Sequence, residues 1–194
     1  MDVKPVNWDE AAERLLQDQV GVIPTDTVYG VVGRANNPRV VARIYNLRKR
    51  DHDKPLITLV GDIADLKQFQ IEIDQRTHNL FKKKWPGPVS IIVEVPSQEY
   101  AYIHRGTRSI AFRVMQKPEL AELVRRVGPI VAPSANLEGS PVARTVAEAH
   151  SYFGDDVFYV DGGSVEGSAS AVIDTRYGEL KVLRLAPGFD PNKL

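Results

Sequence analysis

Apolar residues first recur at helical spacing where Trp8, Ala11, Ala12, Leu15 and Leu16 share one face behind Asn7 and Glu10, a capping-box pair. This spacing predicts a helix over 8–18. The period then changes, for VGVIP at 20–24 is a continuous apolar run that reads as a buried strand. TDTVYGVVG follows as a polar passage to Gly30 and Gly33. Pro38, favoured in a first helical turn, opens a second helix through Val41, Ile44, Tyr45 and Leu47 that runs into Arg48, Lys49 and Arg50. PLITLV (55–60) predicts a strand, and helical patterns follow near 62–69 and 74–85, the second stopped by PGP at 86–88. Further strands are expected at 89–95, 109–114 and 130–132, with a helix near 117–127. Thr145 with Glu148 repeats the capping pattern and opens a helix to about residue 153. The last third is mostly extended: VFYV (157–160), the Gly/Ser loop DGGSVEGSAS, AVID (171–174) and a hairpin turning at Tyr177-Gly178 into LKVLRL.

Helices alternate with strands early and strands crowd late, which predicts an α/β (α+β) fold with one mixed sheet flanked by helices. No repeat or linker divides the 194 residues, and 43% hydrophobic content suffices for one core, so a single domain is expected. Lys plus Arg and Asp plus Glu both number 25, which makes any electrostatic role local. The absence of cysteine excludes disulfides, thiolate metal sites and a Cys nucleophile, and suits a cytoplasmic protein. The start of the chain is acidic and amphipathic, and no apolar segment reaches membrane-spanning length, so no membrane association is expected.

Several chemistries fail on spacing. There is no Gly-Lys dipeptide for a P-loop and no GxG for a dinucleotide fingerprint. His52, His78, His104 and His150 lie far apart and show no metal-ligand spacing, and Ser134 in APSANL lacks the glycines of a nucleophile elbow. What survives is a set of loops read as each ending a strand: Thr25 and Thr27, Ser134 and Asn136, and Ser168 and Ser170 in the Gly-rich loop. Serine and asparagine there are turn-formers by default. Arg113 in SIAFRVM and Arg184 in KVLRLAP either meet a carboxylate, a phosphate or a cavity, or stand on exposed rims. Arg48, Lys49 and Arg50 alone read as solvated cations complementing a helix dipole. Together these groups suit a pocket for a polyanion with a small polar second ligand.

PTDTVYG (24–30), RIYNLRKRDHDKPL (43–56), WPGPVSIIV (85–93), SIAFRV (109–114), PIVAPSANLEGSP (129–141), DGG (161–163) and SAVID (170–174) occur in one order that resembles the YrdC/Sua5 family of L-threonylcarbamoyladenylate synthases, in its short form. The resemblance implies a twisted mixed sheet with a concave cationic cavity. It implies a nucleotidyltransferase joining L-threonine, bicarbonate or CO2, and ATP into threonylcarbamoyl-AMP and pyrophosphate, for the t6A37 modification of tRNA by a downstream transferase. Mg2+ is expected with ATP, held by phosphates and water rather than by a protein cage. By the same resemblance Arg48 and Arg50 are catalytic and bind ATP together with Ser134, Asn136 and Arg184, while Thr25, Ser109, Arg113 and Ser170 serve threonine. Three positions depart from the family pattern. Arg48 stands where lysine is usual, Leu59 where long-form members place histidine, and Leu-Ala follows Arg184 before Pro187-Gly188. A module that grips double-stranded RNA or tRNA through phosphates, and a divergent YciO-like relative with weak synthase activity, are the alternatives.

Overall fold

Residues 3–193 are described by a computed structural model. The first helix, α1 (Trp8–Leu16), is capped as its pattern predicts, the Glu10 amide donating to Asn7 Oδ1 at 2.8 Å. The Glu10 carboxylate turns instead to Arg14, and the helix stops before left-handed Asp18. β1 (Gly21–Pro24) then pairs antiparallel with β2 (Tyr29–Arg34). This second strand corrects the polar passage expected there: Tyr29, Val31 and Val32 are fully buried. Gly33 fits because a side chain there would strike Val40.

α2 (Pro38–Arg48) ends on Lys49 in the left-handed conformation, φ 49°. After β3 (Ile57–Val60) the pattern at 62–69 forms a 3-10 helix, Ile63–Phe69, followed by α3 (Gln75–Lys84) and β4 (Val89–Glu94). A short 3-10 turn and α4 (Ala101–His104), not expected from the sequence, lead into β5 (Ser109–Val114). α5 (Pro118–Val127), β6 (Ile130–Val131), α6 (Val146–Phe153), β7 (Phe158–Tyr159), β8 (Ala171–Asp174) and β9 (Lys181–Arg184) complete the order.

The nine strands of the described residues form one mixed sheet in the order β7-β1-β2-β6-β3-β5-β4-β8-β9, with β1/β7, β3/β5 and β4/β8 parallel. Helices cover both faces, which explains why the central strands are continuous apolar runs rather than alternating ones. Val22 and Val31 face the cluster completed by Val41, Ile44 and Phe81, whereas Ile23 and Val32 face Leu15 of α1 and Leu120 and Val124 of α5. No helix among the described residues is long and apolar enough to cross a membrane.

Candidate functional site

Loops at strand ends converge on a cleft. Its floor is apolar, from Val28, Leu56, Ile57, Leu59 and Ala132. Its walls carry four guanidiniums, from Arg48, Arg50, Arg113 and Arg184, and among the described residues no carboxylate. Thr25, Thr27, Ser134 and Ser170 add hydroxyls.

The left-handed cap at Lys49 explains how two of three consecutive cations enter. Lys49 is exposed and stands outside the cleft, while Arg48 and Arg50 on either side line it. Arg48 is 3% exposed. Its Nε donates to the Asn136 carbonyl at 3.1 Å and its Nη2 to Asn136 Oδ1 at 2.8 Å and Ser134 Oγ at 3.3 Å. Buried Nη1 has no hydrogen-bond partner. Burial, then repulsion from Arg50, lowers the Arg48 pKa to about 10. It therefore remains a cation at neutral pH and cannot act as an acid or base there.

Arg113, 4% exposed, resolves the two readings of its strand in favour of burial. It is ion-paired with Asp26 and donates to Thr27 Oγ1 at 3.2 Å, while its Nε has no partner. Burial pushes its pKa down and Asp26 opposes this. Arg184 is exposed overall but leans on Ser170, donating to its carbonyl at 2.7 Å and its Oγ at 3.3 Å. Ser170 also shares a hydrogen bond with Ser90 at 2.9 Å. Thr25 Oγ1 donates to the Val28 carbonyl at 2.7 Å and accepts the Thr27 and Val28 amides at 3.1 Å each. A hydroxyl has one donor and two acceptor sites, so Thr25 is spent on shaping the turn.

Seven of the nine site residues expected from the sequence line the cleft. Asn136 does not: it stands behind, orienting Arg48 and accepting from Ser134 Oγ at 2.7 Å, while its Nδ2 donates to two carbonyls. Ser109 lies apart from the cleft. It shares the face of Arg113 but opens β5 four residues earlier, roughly 13 Å away at strand rise. There it meets Thr107 at 3.1 Å and Arg176 at 3.1 Å. His52 is exposed, stacked on Tyr45, and outside the cleft; Ser168 is likewise exposed and outside it. Asp26, the counter-ion of Arg113, was not among the expected residues, because an aspartate between two threonines reads as a turn-former.

The Gly/Ser loop closes one side. Tyr29 Oη accepts the Gly162 amide at 2.8 Å and donates to the Gly163 carbonyl at 2.9 Å, while Gly167 lies so near Thr27 that a Cβ would stand 1.9 Å from its carbonyl.

The family model for Sua5, YciO and YrdC, described as "Telomere recombination", matches residues 13–186. The chain belongs to this family. Among its relatives, the threonylcarbamoyl-AMP synthase of Bacillus subtilis (strain 168) is 34% identical over 183 residues, 92% of this chain and 52% of that protein. The structure of P. abyssi Sua5 complexed with L-threonine matches with a TM-score of 0.85 at 28% identity, over 94% of this chain and 56% of that one. The chain thus spans about half the length of both. E. coli YciO shares the fold with the same TM-score, 0.85, at 22% identity, over 99% of this chain and 97% of its own. The mixed sheet flanked by helices is the Sua5/YciO/YrdC fold expected from the motifs.

Proposed function

We propose that this chain is an L-threonylcarbamoyladenylate synthase, making threonylcarbamoyl-AMP and pyrophosphate from ATP, L-threonine and bicarbonate or CO2, for a downstream transferase acting in the t6A37 modification of tRNA. One observation carries the reading: four guanidiniums and, among the described residues, no carboxylate line a cleft that also has apolar lining. Such a cleft suits a polyphosphate on an organic body.

In this reading Arg48 and Arg50, with Ser134, hold the polyphosphate and stabilise charge as pyrophosphate leaves. Arg184 supports the nucleotide side. Arg113, Ser170 and the Thr25 turn face threonine, whose amine combines with CO2 to form a carbamate. A carbamate oxygen then attacks the α-phosphorus, the bond to the β-phosphate oxygen breaks, and pyrophosphate departs. Among the described residues no Asp, Glu or His lines the cleft; in this reading the amine proton passes to water and catalysis is mainly positioning. Mg2+ would arrive on the phosphates of ATP and offset their charge, held by phosphates and water.

The test supplies ATP, threonine and bicarbonate together and singly, and follows pyrophosphate and an AMP-containing product. Product is expected with all three; unaltered ATP in the full mixture sinks the reading. Arg50→Ala and Ser134→Ala are expected to abolish turnover in a folded protein. A weakly active relative is the second reading, favoured by Arg48, whose fork is largely taken up by Asn136 and Ser134. A rise in turnover in Arg48→Lys would support it. RNA gripping is disfavoured because the lining holds no aromatic side chain for stacking, and a steep salt dependence of tRNA binding would restore it.

A further inference from the structure

The Arg50 guanidinium donates to two carbonyls of its own loop, Lys54 at 3.3 Å and Pro55 at 3.1 Å. Its place in the cleft therefore follows the position of that loop. On one flank Arg105 holds the loop, donating to the His52 carbonyl at 2.6 Å and meeting His52 Nδ1 at 2.7 Å, with its guanidinium 4.7 Å over the Tyr45 ring. On the other flank stands Glu138, two residues beyond Asn136. One of its carboxylate oxygens accepts the Asp51 amide and the other meets the Lys54 ammonium. Its own amide donates to the Arg48 carbonyl at 2.9 Å.

One residue thus joins three pieces: the end of α2, the loop of Arg50 and the segment of Ser134. Glu138 is outside the cleft lining, and its charge is met by Lys54. A carboxylate near an anion site opposes anion binding by Coulomb's law, so any help it gives must be geometric.

We propose that Glu138 is a positioning residue that sets the separation of Arg50 from Arg48 and Ser134, and with it the fit of the cleft to a polyphosphate. The proposal rests on the synthase reading above. The test compares full-length wild type, Glu138→Ala and Glu138→Gln in pyrophosphate release, and in amide exchange over 50–54 without nucleotide. Glu138→Ala is expected to raise KM for ATP about tenfold with kcat within about twofold, and to speed exchange at Asp51. Glu138→Gln keeps an acceptor for the Asp51 amide and is expected to recover most of the KM. An unchanged KM in Glu138→Ala overturns the proposal, as does a loss confined to kcat with a lower melting temperature. A lowered KM in both variants also overturns it, since charge alone would then be at work. Wild type that releases no pyrophosphate defeats the synthase reading instead.

Discussion

Replacing Arg48 by methionine separates what this arginine does for the fold from what it does for a ligand. Burial and Arg50 hold its pKa at about 10, well below the ordinary guanidinium range, so keeping the charge at neutral pH costs the folded state about 3 kcal/mol. Methionine fills similar space without the charge. Against this gain, hydrogen bonds to the Asn136 carbonyl, Asn136 Oδ1 and Ser134 Oγ are lost, worth about 2 kcal/mol together, since Asn136 and Ser134 still bond to each other. The variant is therefore expected to be more stable by about 1 kcal/mol, with a melting temperature higher by roughly 2–4 °C, and inactive. Urea unfolding without nucleotide measures the first and pyrophosphate release the second. The pH dependence supplies a further check. The folded chain releases this proton near 10 and the unfolded chain only in the higher, ordinary guanidinium range, so as pH rises past about 10 wild type regains stability and the advantage of the variant shrinks. A loss of more than about 2 kcal/mol, or a difference constant from neutral pH to beyond pH 10, would refute the reasoning.

Asp26→Ala leaves the Arg113 guanidinium buried without its carboxylate and is expected to cost about 3 kcal/mol in urea unfolding; a loss under about 1 kcal/mol would mean that water meets the charge. Gly167→Ala puts a Cβ 1.9 Å from the Thr27 carbonyl and is expected to cost about 2 kcal/mol and to open the cleft, so an unchanged melting curve would contradict the packing. Burial pushes the Asp174 carboxyl up, but the Arg176 side chain and amide outweigh it and leave the pKa below the ordinary carboxylate value. Its stabilising contribution is whole above the ordinary carboxylate range and fades as pH falls through the lowered folded value. Asp174→Asn is expected to flatten the acid limb of the urea midpoint, and an unaltered limb would assign it elsewhere.

Local patterns announced the helices because caps and 3.6-residue periodicity are local properties: Asn7, Pro38 and Thr145 each mark a helix start the structure keeps. β2 was illegible because its burial comes from helices on both faces, a tertiary cause, and Gly30 and Gly33 made it read as a turn. In the site, cations and hydroxyls at strand ends could be read off as a set, but not which stand in front and which behind. Asn136 and Ser134 are two residues apart in one motif, yet one lines the cleft and the other orients Arg48 from behind. Ser109 and Arg113 share a strand face, and a face says nothing about which end of the sheet a side chain occupies. The Arg113–Asp26 pair spans residues 87 apart in the chain, beyond the reach of any spacing rule.

The cleft takes Thr25 from the first hairpin and Arg184 from the last strand, which pairs with β8 at the rim of the sheet. During synthesis, a chain still missing its final strand has the earlier cations in place but an open wall where Arg184 belongs. On the proposed function, nucleotide capture needs that last wall, and a fragment halted before β8 is expected to lose it.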